Sequence, residues 1–234
     1  MKKIHIYLYT LLRFYQGKYH AIIVLITVWK GVLMDEKTKM LSEKLYRPDD
    51  VALKKAYKAT KDWLEAFNQT HYNDFDAREK MARMRFGRVG KNFVINKPFH
   101  CDYGENIYVG DDVYLNVDCL FLDVNTITVG DRVMFAPRVS VLTATHPIDK
   151  DVRNSGLEYG VEVTIEDDVW IGGNVTINPG VSIGKGTIIG SGSVVTKPIP
   201  ENVIAAGNPC RVIRTITEDD KRYWQAKQRD YCDK

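Results

Sequence analysis

The segment TATHPID, residues 143–149, contains the side chain of this sequence best suited to acid–base chemistry. His146 is one of five histidines in 234 residues, and imidazole is the commonest general base near neutral pH. A single histidine is by default a polar surface residue. This one, however, lies where a regular pattern of the chain is interrupted, and loops held by a rigid scaffold often carry function. His146 is therefore a candidate general base.

The interrupted pattern is a repeat of six residues. This period matches neither an α-helix nor a simple two-residue strand alternation, and a fixed repeat decides the fold. An earlier stretch shows the same phase, slips by two residues and resumes before TATHPID. The aliphatic and aromatic positions of the repeat are Tyr103, Val109, Leu115 and Phe121, then Val129, Phe135 and Val141, and finally Ile165, Ile171, Ile177, Ile183, Ile189 and Val195.

Short strands with a corner every six residues build a triangular prism. Side chains two residues apart share a strand face, so the repeated apolar residue points inward and stacks on its equivalent one coil away. Gly172, Gly184, Gly190 and Asn178 are predicted at corners that need unusual backbone angles. An all-β sandwich predicts variable spacing instead. The sequence thus predicts a mainly β protein, a left-handed parallel β-helix of hexapeptide repeats with an N-terminal helical cap.

The chain divides into four predicted regions. Residues 1–33 are an N-terminal extension, 34–88 a helical cap, 89–214 the β-helix with an external loop at 143–163, and 215–234 a C-terminal helical tail. In the cap, apolar residues recur near helical spacing without internal Gly or Pro. Asp49 and Asp50 are candidate N-caps of its main helix, and a second helix is predicted to begin near Asp74 or Asp76.

Residues 1–33 contain the apolar stretch AIIVLITVW, which is shorter than the about 20 residues of a membrane-spanning helix. A signal peptide is disfavoured because no small-residue cleavage site follows. A membrane-surface helix is a further interpretation, given Trp29, Lys30 and the tyrosines. The favoured expectation is that Met34 is the natural start, and no membrane partner is expected.

Composition narrows the class of function. The net charge of +3 from 33 basic and 30 acidic residues gives no global signal for nucleic-acid binding. The four cysteines are widely separated, so they suggest neither a metal site nor a disulfide framework. A reducing, cytoplasmic setting is expected.

The sequence resembles the maltose/galactoside O-acetyltransferase family of hexapeptide-repeat acyltransferases. The resemblance spans about residues 34–214 and depends on EKLYRPDD, CDYG, TATHPID, RNSGLEYG and VTIEDDVWIGGNVTINPGVSIG. It implies a homotrimer with active sites between adjacent subunits. It also implies direct transfer of an acetyl group from acetyl-CoA to a sugar hydroxyl, without metal and without a covalent enzyme intermediate.

The resemblance also implies roles for individual residues. His146 matches the catalytic base, and Asn116 matches an asparagine that stabilises the oxyanion or orients the acceptor. Trp170 and small neighbours match the cofactor groove, and the late cations match contacts to the nucleotide phosphates. The acceptor-side positions are Asp50, Asp102, Tyr114, Asp123 and Glu158, with Asp49 as an alternative to Asp50; the cofactor-side positions are Trp170, Gly173, Ser191, Thr196, Lys197, Arg211 and Arg214.

Three alternatives remain at this stage. The acceptor could be a galactoside, an oligosaccharide or an antibiotic, although CDYG favours maltose or glucose. A γ-type carbonic anhydrase has the same fold but needs three histidines on zinc, and the β-helix region holds only His100 and His146. A noncatalytic β-helix scaffold predicts no affinity for CoA.

Overall fold

The structure is a computed structural model that describes residues 9–15, 18–24 and 34–232. The chain consists of two compact units, Met1–Asp35 and Glu36–Lys234. In the first unit, β1 (Tyr9–Tyr15) pairs antiparallel with β2 (Lys18–Val24). The membrane-surface helix is therefore wrong for these two segments, which are strands. Trp29 and Lys30 lie outside the described residues.

Two capped helices form most of the predicted helical cap. Asp50 caps the longer one, because its Oδ1 accepts the N–H groups of Ala52 and Leu53 at 2.9 and 3.2 Å, and Asp74 caps the next helix through the N–H of Ala77. Among the described residues, none of the helices combines the length and apolar character needed to cross a bilayer. The helices are α1 (Glu36–Leu41), α2 (Val51–Asn68), α3 (Phe75–Arg85), α4 (Lys150–Asn154) and α5 (Glu218–Cys232).

Short strands follow the cap in chain order. They are β3 (Arg88–Val89), β4 (Val94–Ile95), β5 (Phe99–Cys101), β6 (Ile107–Val109), β7 (Tyr114–Leu115), β8 (Cys119–Leu122), β9 (Ile127–Val129), β10 (Met134–Phe135), β11 (Ser140–Leu142), β12 (Ala144–Thr145), β13 (Tyr159–Gly160), β14 (Val163–Ile165), β15 (Trp170–Ile171), β16 (Thr176–Ile177), β17 (Ser182–Ile183), β18 (Ile188–Ile189), β19 (Val194–Val195), β20 (Val203–Ala206) and β21 (Arg211–Thr215).

Three sheets form the faces of a prism. One contains β3, β6, β9, β14 and β17, the second contains β4, β7, β10, β15, β18, β20 and β21, and the third contains β5, β8, β11, β16 and β19. Neighbouring strands are parallel, except that β21 runs antiparallel to β20. The β12–β13 pair is antiparallel and lies in the external loop. The prediction of a parallel β-helix with an N-terminal helical cap is confirmed.

The repeated apolar residues form the interior of the prism. Val129, Ile165 and Ile183 are paired in successive coils, and all three are buried. One predicted position is wrong: Phe121 stacks on Cys101, not on Tyr103. Two extra residues also separate Cys101 from the next stacked position, Val109. Tyr103 lies in this longer turn and packs in a second apolar cluster beneath the cap.

The predicted reason for the corner glycines is also wrong. Gly172, Gly184 and Gly190 are absent from the positions with positive φ, and so is Asn178. A Cβ at Gly172 would instead lie 2.6 Å from the backbone nitrogen of Ser191. These glycines are required because the next coil approaches too closely for a side chain. Residues such as Asp112 and Asn174 supply the left-handed corner conformations.

The cap completes the hydrogen bonds of the first coil. Strands β3, β4 and β5 are the outermost strands of their sheets. The side chain of Asn68 donates to the carbonyl of Phe99 at 3.0 Å and accepts its N–H at 2.9 Å. Arg78 donates to the carbonyl of Ile95, and Arg83 to that of Val89. Side chains of α2 and α3 therefore replace a further coil.

Candidate active site

A cavity of about 290 Å³ lies where the cap meets the first coils. Three tyrosines, two carboxylates and a lysine form most of its wall. Aromatic faces can cover the apolar side of a sugar ring, whereas carboxylates and hydroxyls form hydrogen bonds with its hydroxyl groups. The polar and aromatic lining residues are Tyr46, Tyr57, Tyr103, Asp102, Glu158 and Lys54.

Glu158 connects this cavity to the external loop. Its backbone pairs with that of Tyr46 through two hydrogen bonds of 3.0 and 3.2 Å, and its Oε2 accepts the Tyr46 hydroxyl at 3.0 Å. The strand that follows, β13, pairs with β12 so that Thr145 faces Tyr159. The ladder ends at this pair, with His146 the next residue after β12 and Glu158 the residue before β13. The predicted base and the cavity wall are therefore connected through the β12–β13 pair.

His146 itself is exposed. Within residues 34–232, its imidazole has no hydrogen-bond partner, and the carboxylate of Glu158 bonds to Tyr46 rather than to the ring. Of the two roles predicted for Glu158, contact with the acceptor agrees with its place in the cavity wall. Direct orientation of His146 is not seen.

Asp102 is the second carboxylate of the cavity, and its side chain is only 16% exposed. The Nζ of Lys61 lies 3.5 Å from its Oδ1. Burial raises the pKa of Asp102 and the carboxylate of Glu158 raises it further, whereas the ammonium group of Lys61 lowers it. Because this carboxyl is largely buried, neighbouring charges change its pKa.

Asp123 is buried with no exposed surface. One carboxylate oxygen accepts the N–H groups of Asp102 and Tyr103, both at 2.9 Å, and the other accepts the N–H of Asn106 at 3.3 Å. Burial nevertheless raises the pKa of Asp123 to about 7, against these three donors. The predicted direct contact with an acceptor is therefore wrong, because Asp123 shapes the turn that presents Asp102 and Tyr103.

Asp50 is likewise committed elsewhere. Its carboxylate caps α2, and neither Asp49 nor Asp50 is part of the cavity wall, where Pro48 lies instead. The structure therefore does not bring the predicted acid of the cap into the cavity. A helix cap and an acceptor contact call for the same residue types in sequence, and local geometry favours the cap.

The corner residues that follow β4, β7, β10, β15 and β18 define one edge of the prism, here named the Asn116 edge. Asn116 follows β7, and its Oδ1 accepts the N–H of Val117 at 2.8 Å. In the part of the chain that the structure describes, its Nδ2 has no partner. Tyr114, just before it, aligns through Met134 with Trp170, two coils further along. The side chain of Asn116 thus keeps a donor for another molecule.

The predicted cofactor residues near Trp170 lie on this same edge. Trp170 is 47% exposed on the outer face of β15. The N–H of Gly173 donates to the Oγ of Ser191, one coil later, at 3.1 Å. The structure therefore aligns Asn116 with Trp170, Gly173 and Ser191 along a single edge.

The corner residues that follow β5, β8, β11, β16 and β19 define a second edge, here named the pocket edge. It includes Asp102, the start of the loop that carries His146, and Thr196 followed by Lys197, both exposed. Strand β8, four residues long, separates the two edges, which corresponds to about 13 Å. One chain alone therefore holds Asn116 and His146 on different edges.

The two predicted phosphate ligands differ in their present partners. Both arginines are exposed. Among the described residues, the side chain of Arg211 donates only to the neighbouring carbonyl of Cys210. Arg214, however, forms two hydrogen bonds of 2.6 and 2.9 Å with Asp220 of α5, an ion pair that neutralises its charge. A phosphate contact by Arg214 would therefore share the guanidinium with Asp220.

Several residues of the cavity were not predicted as site residues. Tyr46 and Pro48 belong to EKLYRPDD, and Lys54 and Tyr57 project from α2. Lys54 and Tyr57 are three residues apart, and Lys61 follows four later, so the three share one helix face. This polar and aromatic stripe is the feature of the sequence that could have indicated a binding face on α2. Within residues 34–232, no group of three or more His, Cys, Asp or Glu side chains is arranged to hold a metal ion.

Comparisons with known proteins agree with this fold. Residues 162–197 match the bacterial transferase hexapeptide model (six repeats), and residues 39–90 match the maltose acetyltransferase hexapeptide capping motif. Galactoside O-acetyltransferase of Lactococcus lactis is 39% identical over 84% of this chain and 96% of its own length.

Two solved structures are also similar. A maltose O-acetyltransferase from Clostridium difficile is 51% identical with a TM-score of 0.78, covering 79% of this chain and 98% of its own. A hexapeptide-repeat acetyltransferase from Vibrio cholerae, solved with acetyl-coenzyme A, is 33% identical with a TM-score of 0.73, covering 79% and 100%.

The coiled fold and the capped first coil define a hexapeptide-repeat transferase. With these identities and coverages, the chain belongs to the maltose and galactoside O-acetyltransferase family. It is accordingly an acetyltransferase.

Proposed function

We propose that this chain transfers an acetyl group from acetyl-CoA to a hydroxyl of a sugar, with His146 as the general base. The observation that supports the proposal is the cavity wall at Glu158, the residue before β13, because β13 pairs with β12 and His146 is the residue after β12. A hydroxyl group bound among the carboxylates and tyrosines is proposed to be presented to the imidazole. Similarity to enzymes named for maltose and galactoside supports the acceptor class.

The reaction is a direct acyl transfer in a ternary complex. The imidazole of His146 takes the proton of the sugar hydroxyl while its oxygen attacks the thioester carbonyl. The Nδ2 of Asn116 donates to the oxyanion that forms, and a donor of this kind lowers the barrier by about 2.7–4 kcal/mol. The tetrahedral intermediate then expels the CoA thiolate, which receives the proton held by His146.

The acceptor that fits best is maltose or glucose. Asp102 and Glu158 offer acceptors for sugar hydroxyl groups, and Tyr57 and Tyr103 offer aromatic surface beside them. Galactosides, other oligosaccharides and antibiotics bearing sugar hydroxyls are the alternative acceptors. The cofactor is proposed to lie along Trp170, Gly173 and Ser191, with Thr196, Lys197 and Arg211 as further contacts.

The active unit is proposed to be a homotrimer. Asn116 and His146 occupy different edges of one prism, so a second chain is needed to bring one edge against the other. A closed ring of three places the Asn116 edge of each copy against the pocket edge of the next. The four cysteines are unpaired thiols, which agrees with the cytoplasmic setting proposed here.

Release of CoA thiol from acetyl-CoA, measured with a panel of sugars, tests the proposal. Release that depends on maltose, glucose or a galactoside is expected, and His146→Ala is expected to lower kcat by about 10²–10⁴-fold because it removes the base. His100→Ala, an exposed histidine of β5, is the matched control. Equal rates in the wild type and His146→Ala would contradict the role of His146. No release with any sugar, together with no CoA binding, would favour the scaffold alternative.

A further inference from the structure

One face of α2 carries three side chains toward the cavity. Lys54 and Tyr57 are part of its wall, whereas Lys61, one turn further along the helix, lies behind it. Lys61 is half-buried and does not line the space where an acceptor fits. Its ammonium group instead contacts residues of the cavity wall.

Lys61 makes three contacts that converge at the base of the cavity. Its Nζ donates to the carbonyl of Cys101 at 2.7 Å and lies 3.5 Å from the carboxylate of Asp102. The same Nζ lies 4.2 Å from the ring centroid of Tyr57, a cation–π distance. One cation thus contacts the turn before Asp102, the carboxylate itself and the aromatic wall.

We propose that Lys61 is a positioning residue that holds the carboxylate of Asp102 in place at the cavity wall as an acceptor for a sugar hydroxyl, with Tyr57 fixed beside it. This inference rests on the proposed function, because it assigns Asp102 to acceptor binding. It concerns the acceptor alone, since Lys61 lies on the pocket edge side of the cap and contacts none of the residues along Trp170, Gly173 and Ser191.

The charges around Asp102 explain why a cation is needed. Burial raises the pKa of Asp102 most, and the carboxylate of Glu158, in the same cavity wall, raises it further. The carboxylate of Asp123 lies on the other side of the turn, where it accepts the Asp102 N–H. Lys54 is the other cation of the cavity wall, and the described ion pairs connect Asp102 to Lys61 alone. The charged and titratable groups facing Asp102 are Lys61, Lys54 and Tyr57 from α2, Tyr46 from the cap, Tyr103 and Asp123 from the coils, and Glu158 from the loop.

Acceptor binding and steady-state kinetics of Lys61→Met, Lys61→Arg and Lys58→Met test the inference in the full-length protein. Lys58 is an exposed lysine of the same helix and serves as the charge-matched control. Loss of the Lys61 charge raises the pKa of Asp102. His146 must be neutral to act as the base and so gives kcat/KM an acid limb of its own; the effect of Asp102 is therefore followed through acceptor binding, measured as the acceptor Kd in the presence of CoA. The acid limb of acceptor affinity is expected to move up by about one pH unit, and below that limb the affinity falls about tenfold relative to the wild type.

The KM for acetyl-CoA is expected to stay unchanged in all three variants. Lys61→Arg restores the position of the acid limb, because guanidinium keeps the charge, and Lys58→Met matches the wild type. An acid limb that does not move in a folded Lys61→Met protein overturns the inference. Lys61→Met is taken as folded if its thermal midpoint and its KM for acetyl-CoA match those of Lys58→Met. If they do not match, the acid limbs of Lys61→Arg and Lys61→Gln are compared instead, and equal limbs overturn the inference.

Failure of the inference differs from failure of the proposed function. If the wild type shows no acceptor-dependent release of thiol, the proposed function itself fails. If the wild type is active and Lys61→Met keeps the wild-type pH profile of acceptor affinity, the acetyltransferase stands and only the assignment of Lys61 is lost.

Discussion

The Asn116 edge and the pocket edge differ in how strictly they keep the six-residue repeat. Across the Asn116 edge, every coil takes the same six residues between stacked positions, as from Leu115 to Phe121 and from Ile171 to Ile177. Across the pocket edge, the stacked positions Phe121 and Val129 are eight residues apart. The next pair along that edge, Val141 and Ile165, is separated by the whole external loop.

This difference shows where the chain makes room for an acceptor. At the Asn116 edge the coils approach so closely that Gly172 has no space for a Cβ. The regular turns of this edge therefore leave no room for a cavity between coils. At the pocket edge the two extra residues form turns whose backbone N–H groups are bonded by buried Asp123. The repeat is thus regular along the Asn116 edge, whereas its interruptions along the pocket edge make room for the cavity and the external loop.

Separation of Asn116 and His146 on two edges gives the largest expected effect. Asn116→Ala alone is expected to lose about 10²–10³-fold in kcat, and His146→Ala is similarly impaired. Refolding the two inactive variants together forms mixed rings in which one chain supplies Asn116 and its neighbour supplies His146. For a closed ring of three, about a quarter of the sites become intact.

The measurement is thiol release before and after mixing, with each variant refolded alone as the control. Recovery of activity supports an active site shared between chains. Activity that stays at the sum of the two separate proteins would mean that Asn116 and His146 do not meet across an interface, and the comparison of edges would lose its functional meaning.

A glycine pair sharpens the contrast in packing. Gly172→Ala places a Cβ 2.6 Å from the backbone of Ser191, so it is expected to lower the free energy of unfolding by about 1–3 kcal/mol. At Gly173, the nearest atom to an added Cβ is 3.4 Å away, and Gly173→Ala is the matched control. Urea denaturation of both variants measures the difference. Equal stabilities would show that the Asn116 edge is not closely packed.

Asp123 gives the smallest and most specific test, through pH. Burial raises its pKa to about 7 in the folded protein, whereas the unfolded chain titrates near 3.9. Between these values the folded state holds a proton that the unfolded state has released. The free energy of unfolding therefore falls as pH rises through this window, with a slope of at most about 1.4 kcal/mol per pH unit.

Asp123→Asn removes this titration but can still accept the two N–H groups at one oxygen. The stability difference between wild type and Asp123→Asn is therefore expected to decrease from about pH 5 to about pH 7. Denaturation at both pH values measures it. A difference that does not change with pH would contradict the raised pKa of Asp123.

The sequence predicts the coils well because each coil repeats the same local demand for an inward apolar residue. The six repeat positions from Ile165 to Val195 are all buried, as expected. Tyr103 was misplaced because a two-residue slip can fall on either side of a turn, and only the pairing of Cys101 with Phe121 decides it. Glycine type alone does not distinguish a corner with positive φ from a close approach by the next coil.

The site is harder to read, since its residues come from separate parts of the chain. The resemblance assigns Asp102, Glu158, Asp50 and Asp123 to the acceptor side. Asp102 and Glu158 line the cavity, whereas Asp50 and Asp123 bond to backbone N–H groups. Arg214 pairs with Asp220, six residues later, a partner that the tail sequence did not reveal. Lys54, Tyr57 and Lys61 share one helix face in the sequence, but only the packing of α2 shows that this face meets the cavity.

The bonds from Asn68, Arg78 and Arg83 to the first coil have a consequence for solubility. A solenoid presents unpaired backbone groups on its terminal strands, and such strands can recruit a second solenoid end to end. Here the carbonyls of Phe99, Ile95 and Val89 are already occupied by side chains. The cap therefore prevents end-to-end association of solenoids, and a chain that began at β3 would be prone to polymerise.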